Sequence, residues 1–281
     1  MELLWRKQLI GATATVDLCT PRCQAAPGVS RTPGKIRCVT PINGIAARGL
    51  SPELQGHTAV LMPGTGSDDD FITRAFGPAL SDAGAALIAV RPEPNDLVNG
   101  YLRVLDRAAR KGPIVVGGMS IGTAVALTWA LQNPGATVAV LAAMPAWTGK
   151  PENSPASVSA RVTAESLRAD GLTAVTAAMQ ASSPAWLGAE LARSWAAQWP
   201  GLPNAMDAVS AFVNPTADDI RGLAVPLAVA AATDDPIHPL AVGQDWASWA
   251  PRGALRTFTL DQLGADPSCL GQACVGALSD I

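Results

Sequence analysis

Histidine is nearly missing from this chain, and the scarcity bounds its chemistry. Among 281 residues there are two, His57 and His238. Two imidazoles supply little for a histidine-based metal centre. The five cysteines, at 19, 23, 38, 269 and 274, do not make up the shortfall. Neither Cys19-x3-Cys23 nor Cys269-x4-Cys274 is matched by a second ligand pair at zinc-site spacing. Odd in number and scattered, they read as reduced thiols of a cytoplasmic protein. No metal and no cofactor is expected. No apolar run approaches the roughly 18–20 residues of a membrane span. Charge of one sign is also lacking, and a net charge of −3 gives no electrostatic reason to expect nucleic acid. Lysine is scarce, four against 16 arginines, which together with many Ala, Gly and Pro reflects coding bias more than chemistry. There is no internal repeat and no low-complexity tract. The expected partner is a small-molecule substrate.

What remains is a hydrophobic fraction of 48%, enough for a sizeable core. Residues 1–38 stand apart, with a charge of +4 against −7 for the remainder and three of the five cysteines. Their start faintly imitates a signal peptide, but Asp17 closes the apolar stretch early and no small-x-small cleavage site follows. The segment is expected to be poorly ordered. From residue 39 strands and helices alternate. A weak strand is expected at Ile42–Leu50, then strands at Thr58–Met62, Ala86–Val90, up to the Gly118 turn, at Thr137–Leu141, Val225–Ala231 and Leu255–Leu260. Helices are expected at about 68–83, 96–110, 123–131, 240–249 and 267–278. Ser67 is the expected N-cap of the first, with Asp68, Asp69 and Asp70 in its opening turn, where acids complement the helix dipole better than they suggest a metal. Such alternation means a parallel sheet covered on both faces. The rhythm breaks at Pro145, and residues 145–222 read as a helical insertion without a strand.

The most informative stretch is Pro113-Ile-Val-Val-Gly-Gly-Met-Ser-Ile-Gly122. It contains Gly118-Met119-Ser120-Ile121-Gly122, a Gly-x-Ser-x-Gly pattern between an apolar run and a helix-forming one. In that context the pattern marks a nucleophile elbow. The turn is tight enough to strain the serine backbone, and glycines two positions either side avoid collision with the neighbouring strand and helix. The serine hydroxyl then faces a helix N-terminus whose free N–H groups can stabilise an anion.

Together with Pro63-Gly64-Thr65-Gly66 and Asp234-Asp235-Pro236-Ile237-His238-Pro239, this stretch resembles the α/β-hydrolase fold over residues 39–281. The resemblance implies a mostly parallel doubly wound α/β sheet with a helical lid at 145–222. It implies an oxyanion hole from the N–H of Ile121 and that of Thr65 or Gly66, and an acid at Asp235. In this fold the histidine usually follows the last strand, yet Gln262-Leu263-Gly264-Ala265-Asp266-Pro267 has none. His57 precedes a five-residue strand spanning roughly 16 Å, which puts it at the wrong end of the sheet. His238 is the remaining candidate for the base that a serine needs at neutral pH. Its partner is Asp235, or Asp266 if acid and base have exchanged loops; Asp266 otherwise reads as a helix N-cap before Pro267. Trp147, Trp186, Trp195 and Trp199 are expected to pack under the lid or to wall a pocket over Ser120. The expected function is a serine esterase or thioesterase acting on a small apolar or acyl substrate. The alternative is a catalytically degenerate member that binds a small apolar ligand.

Overall fold

Six short segments, five of them apolar runs, become the strands of one sheet: β1 (Thr58–Met62), β2 (Ala86–Ala89), β3 (Ile114–Met119), β4 (Thr137–Ala143), β5 (Leu227–Ala232) and β6 (Gly253–Phe258), the last carrying Arg256 and Thr257. The structure, a computed structural model, describes residues 53–281. Residues 1–38 and the strand expected at Ile42–Leu50 lie outside the described residues. All five strand pairings are parallel, in the order β2-β1-β3-β4-β5-β6. A parallel sheet has to be covered on both faces, and this is why β5 is buried at every position.

Successive side chains of a strand point to opposite faces, so each strand feeds two cores. Val60 and Met62 join α2 (Leu97–Ala109), α3 (Ile121–Gln132) and α8 (Leu240–Trp249) on one face. Ala59 and Leu61 join α1 (Asp69–Asp82) and α10 (Ser268–Leu278) on the other. On the first face Leu105, Leu127 and Trp246 are wholly buried. Burial of a side chain of leucine size contributes about 1.5–3 kcal/mol. The helix after the elbow, α3, is buried from Ile121 to Leu127 without a polar face, as a helix enclosed on all sides should be.

Two local expectations are corrected. The N-cap of α1 is Asp68, not Ser67: its backbone is extended and its carboxylate accepts the Phe71 N–H at 3.0 Å. The stretch expected as a loop after the last strand is largely helical. It forms α9 (Leu260–Ala265), started by a capping box between Thr259 and Gln262.

Between β4 and β5 the described chain has no strand. It forms four helices, α4 (Pro155–Ser182), α5 (Ala185–Gln198), α6 (Leu202–Ser210) and α7 (Ala217–Arg221). Gly171, at φ +77°, interrupts α4. This insertion has its own apolar cluster, including Ala164, Leu167, Trp195, Leu202 and Met206. The four tryptophans do not form one wall. Trp147 packs in the core of α2 and α3, Trp186 against that of α1 and α10, and Trp195 inside the insertion, while Trp199 is 39% exposed.

The topology places the site. From β1 the chain steps outward to β2, returns past β1 to β3, and then steps the other way to β6. The order therefore switches between β1 and β3. At such a point the loops leaving the carboxyl ends diverge and open a crevice. Met62, the last residue of β1, pairs with Gly118 of β3, so two successive features of the sequence meet there: the turn at 63–67 and the elbow at 118–122.

Candidate active site

The elbow is built by close approach. Ser120 has φ +54° and ψ −116°, a conformation that costs about 1–3 kcal/mol for a residue with a side chain. A Cβ on Gly118 or on Gly122 would run into the Met62 carbonyl of β1, so only glycine lets β3 and α3 close on that strand. Hydrogen bonds hold the strained residue. The Ser120 N–H donates to the Ala143 carbonyl at 2.9 Å, and the Thr123 hydroxyl reaches the Gly118 carbonyl at 2.7 Å and that of Ala143 at 3.1 Å.

The turn after β1 passes directly over the elbow. A Cβ on Gly64 would stand 3.4 Å from Ser120 Cβ. The turn is closed by Ser67 N–H donating to the Gly64 carbonyl at 3.0 Å, with Gly66 at φ +73°, the sign that favours glycine. Ile121 is the first residue of α3, so its N–H has no partner within the helix. Among the described residues the N–H groups of Ile121, Thr65 and Gly66 meet no acceptor.

The loop after β5 brings the remaining groups. Asp235 begins an Asx turn, its Oδ1 accepting the Ile237 N–H at 2.7 Å. Its Oδ2 lies 2.8 Å from His238 Nδ1, and His238 Nε2 lies 3.0 Å from Ser120 Oγ. A carboxylate only accepts, so Nδ1 carries the proton and the opposite nitrogen is free to accept from the serine hydroxyl. Both side chains are largely enclosed, at 17% exposure for His238 and 8% for Asp235. Burial raises the Asp235 pKa. The hydrogen bond from His238, its charge, and the backbone N–H groups of Ile237 and His238 together outweigh it, and hold the carboxyl below the usual carboxylate range. Pro236 and Pro239 bracket the histidine, and each fixed φ narrows what the loop can do.

The structure does not bring the other candidates together with Ser120. His57 lies at the amino end of the sheet, its Nδ1 3.3 Å from the Pro113 carbonyl. Asp266 is not against the histidine; both of its oxygens are taken by Ser268, Oδ1 by the N–H at 2.9 Å and Oδ2 by the hydroxyl at 2.8 Å. That is the helix-capping role, at the start of α10. Asp68 and Asp70 pair with Arg193 and Arg74, and no group of His, Cys, Asp or Glu among the described residues is arranged to hold a metal. Nor is any helix among them long and apolar enough to cross a membrane. Sequence reasoning missed Thr123, whose place in the first turn after the elbow is a local signal. It also missed Tyr101, Ser194 and Gln198, which bond the turn at 63–67 from more than 35 residues away and leave no local pattern.

No protein-family model and no curated protein matches the chain. Solved structures do. A putative non-heme bromoperoxidase, BpoC, of Mycobacterium tuberculosis matches at 18% identity and TM-score 0.60, over 80% of this chain and 93% of that one. A thermophilic esterase of Thermogutta terrifontis matches at 17% and 0.61, over 80% and 90%. An esterase of Exiguobacterium antarcticum matches at 11% and 0.63, over 80% and 92%. At these identities the likeness establishes the fold, and the chain has the α/β-hydrolase fold.

Proposed function

We propose that the chain is a serine hydrolase cleaving an ester or thioester of a small apolar or acyl substrate. One observation carries the reading: Ser120 Oγ, the two nitrogens of His238 and the Asp235 carboxylate form a continuous hydrogen-bonded line, with steps of 3.0 and 2.8 Å. These are the separations at which a nucleophile, its base and the group that orients the base work. The same line speaks against a ligand-binding protein that has lost its base, in which nothing would hold the imidazole on the serine.

In the proposed reaction Ser120 Oγ attacks the carbonyl carbon while His238 Nε2 takes the hydroxyl proton. Asp235 keeps the imidazole in the right tautomer and stays ionised as the ring becomes charged, which its depressed pKa favours. The oxyanion is received by the N–H of Ile121 and that of Thr65 or Gly66. As the intermediate collapses, His238 returns the proton to the departing alcohol or thiol. Water then attacks the acyl-serine with the histidine again as base, releasing the acid and restoring Ser120. The insertion α4–α7 serves as a lid; support for this comes from its departure at β4, beside the Ala143 carbonyl that holds Ser120.

The test is direct. A fluorophosphonate probe labels the wild-type protein and leaves Ser120→Ala unlabelled, and p-nitrophenyl esters of increasing chain length are turned over only by the former. Equal labelling of the two proteins sinks the proposal.

A further inference from the structure

The turn between β1 and α1 is held by its carbonyls. Tyr101 Oη donates to Pro63 O at 3.2 Å, Ser67 N–H to Gly64 O at 3.0 Å, Ser194 Oγ to Gly66 O, and Gln198 Nε2 to Ser67 O at 3.0 Å. Two of these four donors come from α5 in the insertion. Ser194 and Gln198 are four residues apart on that helix, so they share a face, and at 1% and 7% exposure they are buried against the turn. Their neighbours reinforce the seat. Arg193 forks onto the Asp68 carboxylate at 2.5 and 3.1 Å, and a Cβ on Gly66 would collide with the Trp195 indole.

The bonds form a relay. In a trans peptide the C=O and the following N–H point in opposite directions. The Ser194 hydroxyl fixes the Gly66 carbonyl. The other side of that peptide is the Ser67 N–H, which fixes the Gly64 carbonyl. The other side of the Gly64 peptide is the Thr65 N–H, which meets no acceptor among the described residues. Two peptide units thus join the Ser194 hydroxyl to a free N–H beside the elbow, and hydrogen bonds in such a chain polarise one another.

We infer that Ser194 is a positioning residue for the oxyanion site. By seating α5 on the turn it aims and polarises the Thr65 N–H, which singles out Thr65 over Gly66 as the donor. The inference rests on the serine-hydrolase reading above. It joins the insertion to catalysis: the donor is correctly oriented when α5 is in place.

Ser194→Ala and Ser194→Thr in the full chain test it. The measurements are kcat and KM on p-nitrophenyl butyrate, the rate of fluorophosphonate inactivation, Tm, and the Thr65 amide proton shift in 15N-labelled protein. The alanine variant is expected to lower kcat and the inactivation rate about tenfold together, a fraction of the ~10²–10³ lost with a whole donor. KM stays within about twofold, the Thr65 amide proton moves upfield, and threonine restores all three. Should the alanine variant not fold, Ser194→Cys, close in size but a weak donor, carries the same test. The inference is overturned if kcat and the Thr65 resonance do not move. It is equally overturned if alanine and threonine lose activity alike with a raised KM and a lowered Tm, the mark of packing alone. Absence of both turnover and Ser120 labelling in the wild type would remove the hydrolase reading, and the Thr65 resonance would then decide the relay by itself.

Discussion

Two segments leave neighbouring parallel strands at the same end of the sheet, and they are built very differently. The loop after β5 holds Asp235 and His238 three residues apart, the imidazole against Ser120 and the carboxylate against the imidazole. The segment after β6 follows the last strand, where the fold's histidine usually stands, and it folds into α9 with Asp266 capping the next helix. Gly264 in α9 is packed against the Trp186 indole, so a side chain placed there would collide with the insertion. The difference teaches that the proposed mechanism depends on where the chemical groups stand and not on which loop carries them. An Asx turn is compact enough for one loop to present both the imidazole proposed as base and the carboxylate that bonds it.

The sharpest way to break this contrast is to remove the proposed base. His238→Ala is expected to lower kcat on p-nitrophenyl esters about 10⁴-fold or more, as loss of a base does when it acts as a unit with the nucleophile. Activity retained within tenfold would put the base elsewhere. Next comes the carboxylate proposed to orient it, on the same loop. Asp235→Asn is expected to cost roughly 10³–10⁴-fold in kcat, since an amide supports the wrong tautomer. It also has a stability signature. The Asp235 carboxyl is depressed in the folded protein, so its contribution is present above the unfolded carboxylate value near about 3.9 and is lost as pH falls through the lower folded value. The Tm gap between wild type and Asp235→Asn should be widest above about pH 5 and close below about pH 4; a gap that widens in acid would reverse the sign. The smallest effect belongs to the other loop. Asp266→Asn should leave kcat within about twofold and lower stability by about 1 kcal/mol or less, since asparagine still caps. Loss of turnover there, with Asp235→Asn active, would exchange the roles of the two loops.

Much of this was legible in residue order. Short apolar runs separated by helical stretches specify a buried parallel sheet, and α8 spans the residues its pattern indicated, Leu240–Trp249. The elbow was legible because its constraint leaves a fixed local spacing: the Met62 carbonyl of the adjacent strand demands glycine at both 118 and 122, two positions either side of Ser120. His238 could be reached by elimination, since the chain offers a single alternative and that one lies at the opposite end of the sheet. Choosing between Asp235 and Asp266 required coordinates, because both sit in loops and both have a sound capping or turn role. The clamp by Ser194 and Gln198 was invisible for a different reason. Its partners are 128 and 131 residues away, and buried serine and glutamine on a helix leave no periodic trace. Residue order does not separate Ser67 from Asp68 as the cap of α1, because serine and aspartate serve that position about equally well.

The three-residue spacing of Asp235 and His238 makes the pair a transplantable cassette. In a protein whose acid and histidine lie on separate loops, opening the chain between them divides the relay between two ends of the new polypeptide. Here the seven residues from Thr233 to Pro239 travel together. A circular permutant with its termini at the junction of β6 and α9 would carry, of the described elements, only α9 and α10 ahead of β1, and leave Asp235 and His238 on one unbroken stretch of chain.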